Sequence, residues 1–218
     1  MVDWLTITML VLLWLLYCTV HSVLASNRVK ASVQRQFPAR VHCYRLFFNL
    51  VALLMLGPIA YLHIISDSPM IISWTGWSVY ISYAMSGIAI LGFIWSLRYY
   101  DMQAFSGIRS CRQQAEPDSG LRISPLHRYV RHPWYFFLLL LIWGRNQDHL
   151  SLVSTMMITA YLIVGSRLED KKLIAEFGPG YADYIQRVPG LFPIPGKSIS
   201  TTQAQQLETR SNERDPSS

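Results

Sequence analysis

Charge is scarce in this 218-residue chain: Asp, Glu, Lys and Arg make up 15% of it, against about 25% in an ordinary soluble domain. Half of the chain (51%) is hydrophobic, so the deficit excludes a disordered chain and argues against a water-soluble enzyme. Cysteine is scarcer still. Cys18, Cys43 and Cys111 form no close pair in sequence and show neither a disulfide framework nor zinc spacing. Cys18 lies inside an apolar run and reads as a small core residue. The chain has no Gly-x-Gly-x-x-Gly, no Gly-Lys-Thr phosphate loop, no His-Glu-x-x-His and no Gly-x-Ser-x-Gly. It has no internal repeat and no heptad run. The net charge of +6 comes without any nucleic-acid signature, so no nucleic-acid partner is expected. Six histidines stand at 21, 42, 63, 127, 132 and 149. His127 and His132 are five apart, a poor spacing for two ligands on one helical face, and no metal is expected.

What the chain does have is long uncharged runs. Trp4 to Leu24 holds no charged residue across 21 positions, and Gly76 to Leu97 none across 22. About 20 apolar residues in helix cross a bilayer's hydrocarbon core. The sequence therefore predicts an all-α integral membrane protein with five transmembrane helices: Trp4–Leu24, Leu46–Ile65, Ile71–Leu97, Trp134–Gly144 and Leu150–Ser166. The first run is read as a retained helix and not a signal peptide, because Met1-Val2-Asp3 carries no Lys or Arg and the run is too long. The fourth segment is short. Eleven residues rise roughly 16 Å, about half the hydrocarbon thickness, so it either extends to Asp148 or forms a partly penetrating hairpin with the fifth.

The basic residues give an orientation. Five spans put 26–45, 98–132 and everything after 166 on one side. Those segments hold every Lys and Arg except Arg145. The positive-inside rule then predicts the N-terminus outside and the C-terminus in the cytoplasm. Short loops and the absence of organelle signals point to a bacterial inner membrane. The domain is expected over 1–197, and 198–218 as a disordered polar tail with little to bury.

Polar residues cluster twice on the cytoplasmic side, at Leu126–Tyr135 and at Arg167–Leu173. Pro133 suits the first turn of a helix, which puts His132 at its N-cap and Tyr135 on the first turn. Glu169 and Asp170 fall near the C-terminal end of the fifth helix, unfavourable for carboxylates unless a cation binds nearby. If the last two helices pair, the clusters meet. The plain alternative is that basic residues flank membrane helices everywhere, and an Arg–Glu pair there is ordinarily a solvated salt bridge.

The order Arg131-His132-Pro133-x-Tyr135, a helical hairpin, Arg167-x-Glu169-Asp170-x-x-Leu173, Phe177-Gly178, Tyr181, Tyr184, Val188-Pro189 and Pro193 resembles the C-terminal half of the isoprenylcysteine carboxyl methyltransferase superfamily, over about 125–193. His21-Ser22 at the end of the first span resembles an element of methanethiol S-methyltransferases and NnrU-type proteins. Ala104–Arg109 looks like a Phe-Gly-Leu-Arg segment of the thiol methyltransferases. The chain departs from the family at Asp170, where a second Glu is usual, and at Trp134 and Phe136.

The resemblance implies S-adenosyl-L-methionine as cofactor. It implies contacts from His132, Tyr135 and Glu169, support from Arg131 and Asp170, and Tyr181 and Tyr184 closing the pocket. His132 or His21 would assist an acceptor thiol that must lose its proton. The expected function is methyl transfer to a small or hydrophobic thiol in contact with membrane lipids. The alternatives are an isoprenylcysteine carboxyl or phospholipid methyltransferase, and a non-enzymatic NnrU-type membrane protein. A transporter fits less well, because no span centre carries an ionisable residue.

Overall fold

The computed structural model describes residues 4–113 and 120–212. The protein is an all-α integral membrane protein. Its helices are α1 (Trp4–Ala25), α2 (Asn27–Gln36), α3 (Tyr44–Ile65), α4 (Ser78–Ser96), α5 (Met102–Ser106), α6 (Ile108–Gln113), α7 (Pro133–Trp143), α8 (His149–Phe177), α9 (Pro179–Arg187) and α10 (Thr201–Asn212). Four of them, α1, α3, α4 and α8, are long and apolar enough to cross a membrane. Their exposed positions carry large apolar side chains, among them Leu12, Leu53 and Leu91, as a lipid-facing surface requires.

The fourth apolar segment stays short. α7 spans 11 residues and does not extend through Arg145–Asp148. Instead β2 (Gln147–Asp148) pairs antiparallel with β1 (Met70–Ile72). This pairing also corrects the third segment. Residues 70–72 are strand, Gly76 has a φ of 58°, and α4 begins only at Ser78. The apolar run of the sequence continues across a turn that hydropathy does not register.

The described residues form two compact units. The first comprises 4–74, 100–113 and 146–158; the second 75–99, 120–145 and 159–212. In the first, α1 and α3 pack around Leu10, Trp14, Ile59, Leu62 and Leu150. Trp14 Nε1 donates to Ser154 Oγ at 2.8 Å, and His63 Nε2 shares a hydrogen bond with the same oxygen at 2.9 Å. Ser26 ends α1 and caps α2, its Oγ accepting from Val29 N–H. Contrary to the sequence expectation, Cys43 and Cys111 form a disulfide, with Cα atoms 4.3 Å apart. The two lie 68 residues apart in sequence, and only the folding of α6 against the start of α3 brings them together. Gly107, with a φ of 82°, permits that approach, because a Cβ there would strike the backbone of Arg45 and Leu46.

In the second unit α4 and α7 pack through small residues, the usual way for membrane helices to approach closely. Gly92 leaves room for the Phe137 ring, and Trp134 Nε1 donates to Ser96 Oγ at 2.9 Å. Trp143 Nε1 donates to Thr159 Oγ1 at 3.1 Å, tying α7 to this unit's part of α8. The polar tail expected from 198 is, over 201–212, the helix α10, which corrects the expectation of disorder there. Ser200 and Gln203 form a reciprocal capping box. Ala204 and Leu207 then bury against Tyr181, Tyr184 and Val188. Residues 213–218 lie outside the described residues.

Candidate functional site

The site is assembled from three places in the second unit. The first is the turn into α7. Arg131 N–H donates to Pro189 O at 2.9 Å, and His132 N–H to Gly190 O at 3.0 Å, so this dipeptide lies as an extended pair along 189–190. Pro133 then starts α7 with His132 as its N-cap residue, and Tyr135 stands in the first turn. The second place is α8. It runs to Phe177, so Glu169 and Asp170 lie well inside the helix and not at its end. The sequence signal for the longer helix is Leu173 to Phe177, all compatible with helix, followed by the stop Gly178-Pro179. The third is α9. Gly178, with φ 60° and ψ −139°, reverses the chain between α8 and α9 in a conformation open to glycine. This turn returns Tyr181 towards Asp170.

Asp170 is the hub. Arg131 meets it as a fork, Nε to Oδ1 at 3.1 Å and Nη2 to Oδ2 at 2.6 Å, the planar bidentate geometry available to arginine. His132 Nε2 lies 3.1 Å from Oδ1, and Tyr181 OH donates to Oδ1 at 3.1 Å. Arg131 Nη1 also donates to the carbonyls of Ile185 and Val188. Four of the five guanidinium N–H groups are thereby committed to the protein. The Arg131 side chain is 9% exposed.

Glu169 differs from its neighbour. Its side chain is 45% exposed, with His132 Nδ1 at 3.4 Å and Tyr135 OH donating at 3.1 Å. The Tyr135 ring stacks on His132, centroids 5.3 Å apart and planes 12° from parallel. Burial works against a charged His132. The Asp170 and Glu169 carboxylates overcome that penalty and raise its pKa to about 9. His127, held by Ser124 at 2.7 Å, goes the other way: burial, with the charge of His132 adding to it, lowers its pKa to about 4. Burial and the nearby Asp170 charge push the Tyr181 hydroxyl far above the usual tyrosine range.

The structure therefore joins Arg131, His132, Tyr135, Glu169, Asp170 and Tyr181. Tyr184 is nearby in sequence but spends its hydroxyl on the His127 carbonyl at 2.5 Å, and its ring is buried with Tyr181 in the α9–α10 core. His21 belongs to the first unit, where its ring stacks on Tyr17 and packs against Phe48.

Sequence reasoning overlooked the carbonyls of Ile185, Val188, Pro189 and Gly190, which hold Arg131 and His132. It also overlooked α10, although Ser200-x-x-Gln203 ahead of Ala204 and Leu207 is a readable helix start. Among the described residues, no group of three His, Cys, Asp or Glu is placed to hold a metal ion.

Curated relatives carry the same kind of name. The chain is 32% identical over 125 residues to Methanethiol S-methyltransferase 2 of Bradyrhizobium diazoefficiens, covering 56% of this chain and 44% of that protein. It is 27% identical over 122 residues to Methanethiol S-methyltransferase of Pseudomonas deceptionensis, covering 55% and 43%. A shorter match, 38% over 72 residues, is to the Crocosphaera subtropica protein of that name, covering 33% and 28%. The chain thus spans less than half the length of these relatives. The similarity is consistent with the membrane methyltransferase family that the sequence pattern resembles. No family model matches the chain, and no solved structure matches it.

Proposed function

We propose that this chain is a membrane methyltransferase that uses S-adenosyl-L-methionine and methylates a small or hydrophobic thiol. The observation that carries the reading is the state of Glu169. In a frame where Asp170 accepts four hydrogen bonds and Arg131 donates four, Glu169 is a half-exposed carboxylate whose partners among the described residues are His132 and Tyr135. That donor set fits a cation, and the proposed cofactor carries both an ammonium and a sulfonium. Arg131 is spent within the protein, so the fit is at the cationic end.

When bound, the cofactor supplies an electrophilic methyl group on its sulfonium. Glu169 binds and orients positive charge. The Tyr135 hydroxyl and the His132 ring fix the rotamer of Glu169. Asp170, Arg131 and Tyr181 hold His132 in place, with Tyr184 and α10 behind them. An anionic nucleophile meeting a cationic donor loses charge in the transition state, so alignment and exclusion of water are what the site must provide. A lipid setting suits an apolar or volatile acceptor. The relatives' names support the thiol class.

Membranes containing the chain, given methyl-labelled S-adenosyl-L-methionine, should transfer label to methanethiol in preference to prenylcysteine or phosphatidylethanolamine. Label in one of the latter two, with none in methanethiol, rejects the acceptor. No transfer to any of them, together with no binding of S-adenosylhomocysteine, rejects the enzyme.

A further inference from the structure

We propose that His132 is a fixed bridge between two carboxylates and not a base, and that the acceptor sulfur therefore enters this site already ionised, its proton lost to solvent. The acceptor half rests on the function proposed above; the bridge rests on geometry alone. A general base needs a ring nitrogen whose lone pair is aimed at the proton it will take. In His132 Nε2 faces Asp170 Oδ1 at 3.1 Å and Nδ1 faces Glu169 Oε2 at 3.4 Å. An ionised carboxylate accepts hydrogen bonds and donates none, so both ring nitrogens carry hydrogen.

The surroundings oppose release of either proton. Asp170 and Glu169 approach from α8, and Tyr181 donates to Asp170 from α9. Tyr135 stacks from α7. The cation nearest in sequence, Arg131, is already neutralised by Asp170, while His127 is held neutral by burial. Losing the His132 proton would set two adjacent carboxylates against each other with no bridge between them. The pKa of about 9 has the same sense.

The reaction balances without a protein base. A thiol gives its proton to water. A lone pair of the resulting thiolate forms the new carbon–sulfur bond to the methyl group, and the methyl–sulfonium bond breaks with its electron pair staying on the donor's sulfur. Two neutral thioethers and one released proton result. Thiol acidity then contributes to selectivity. Below both pKa values, two thiols that differ by two pKa units differ about 100-fold in thiolate. Falling intrinsic nucleophilicity, with a Brønsted slope of about 0.4–0.5, returns about tenfold of that. The more acidic of two similar-sized thiols should react roughly tenfold faster at equal concentration.

Two readouts test this. In full-length protein labelled with 15N-histidine, without cofactor, the His132 signals are those lost in His132→Gln. Both of its ring nitrogens should appear protonated from pH 6 to 8. A neutral tautomer at pH 7 overturns the bridge. In turnover, the midpoint of the pH profile should move with the pKa of each thiol used. One fixed midpoint for every thiol would reveal a protein base and overturn the acceptor half. Calorimetry with S-adenosylhomocysteine separates the failures. Absence of binding overturns the functional reading and the acceptor half with it, whereas binding alongside a neutral His132 overturns the bridge alone.

Discussion

In the first unit, Trp14 and His63 meet the single hydroxyl of Ser154, and Gln147, almost wholly buried, accepts from Thr155 at 3.0 Å. In the second, Arg131, His132 and Tyr181 converge on one carboxylate while the next residue, Glu169, stays half exposed. Both clusters hold buried polar atoms in hydrogen bonds. The first does so with uncharged side chains that tie α1 and α3 to the start of α8. The second spends charge to hold charge and keeps one acceptor open. Buried charges are costly unless paired and hydrogen-bonded, a condition that the fork from Arg131 to Asp170 meets.

Substitutions in each region should separate these roles. The largest effect is expected from Asp170→Asn, which leaves Arg131 buried without its counter-charge and His132 with Glu169 alone. Breaking a buried pair from one side costs about 3–5 kcal/mol, seen as a clear fall in thermal stability in detergent. A variant as stable as the parent would show that the hub is solvated. Next comes Cys43→Ser. In oxidised, purified protein it should destabilise the first unit by about 2–4 kcal/mol while leaving ligand affinity at Glu169 within twofold. A parallel loss of affinity would contradict the division of labour.

A pH titration follows. His132 titrates near pH 9 when folded, against 6.5 for the ordinary group. Its contribution is therefore complete below about pH 6.5 and is lost as pH rises through about 9. Thermal stability in detergent should fall over that window in the wild type, and fall by less in His132→Gln. The smallest effect is expected from Ser154→Ala. Each side-chain hydrogen bond between membrane helices contributes about 0.6 kcal/mol on average, so a shift of only a few degrees in unfolding temperature should appear, with no change in ligand binding.

Much of this was legible in the sequence, for physical reasons. Runs without charge over Trp4–Leu24 and Gly76–Leu97 leave no choice but membrane helices, and Pro133 marked the start of α7 with His132 as its cap. The pairing of 131–135 with 169–170 was readable because the spacing returns the chain to its start after two antiparallel helices. The hub was not. Which of two adjacent carboxylates is consumed depends on helix phase and on a turn at Gly178 that hydropathy cannot register. The disulfide was hidden by 68 intervening residues. It also bears on orientation, since the basic segments around Cys43 and Cys111 read as cytoplasmic, a compartment that keeps thiols reduced. α10 was missed because its apolar positions are few and its composition polar, although its capping box was in plain view.

The central claim is that Glu169 is the open acceptor of a cofactor site. Calorimetric titration of S-adenosylhomocysteine into the full-length chain, wild type against Glu169→Gln, tests it most directly. The account predicts saturable binding by the wild type and an affinity at least tenfold weaker in the variant, the size expected for a lost charged hydrogen bond of about 1.5–3 kcal/mol. Equal affinities in the two proteins would contradict it.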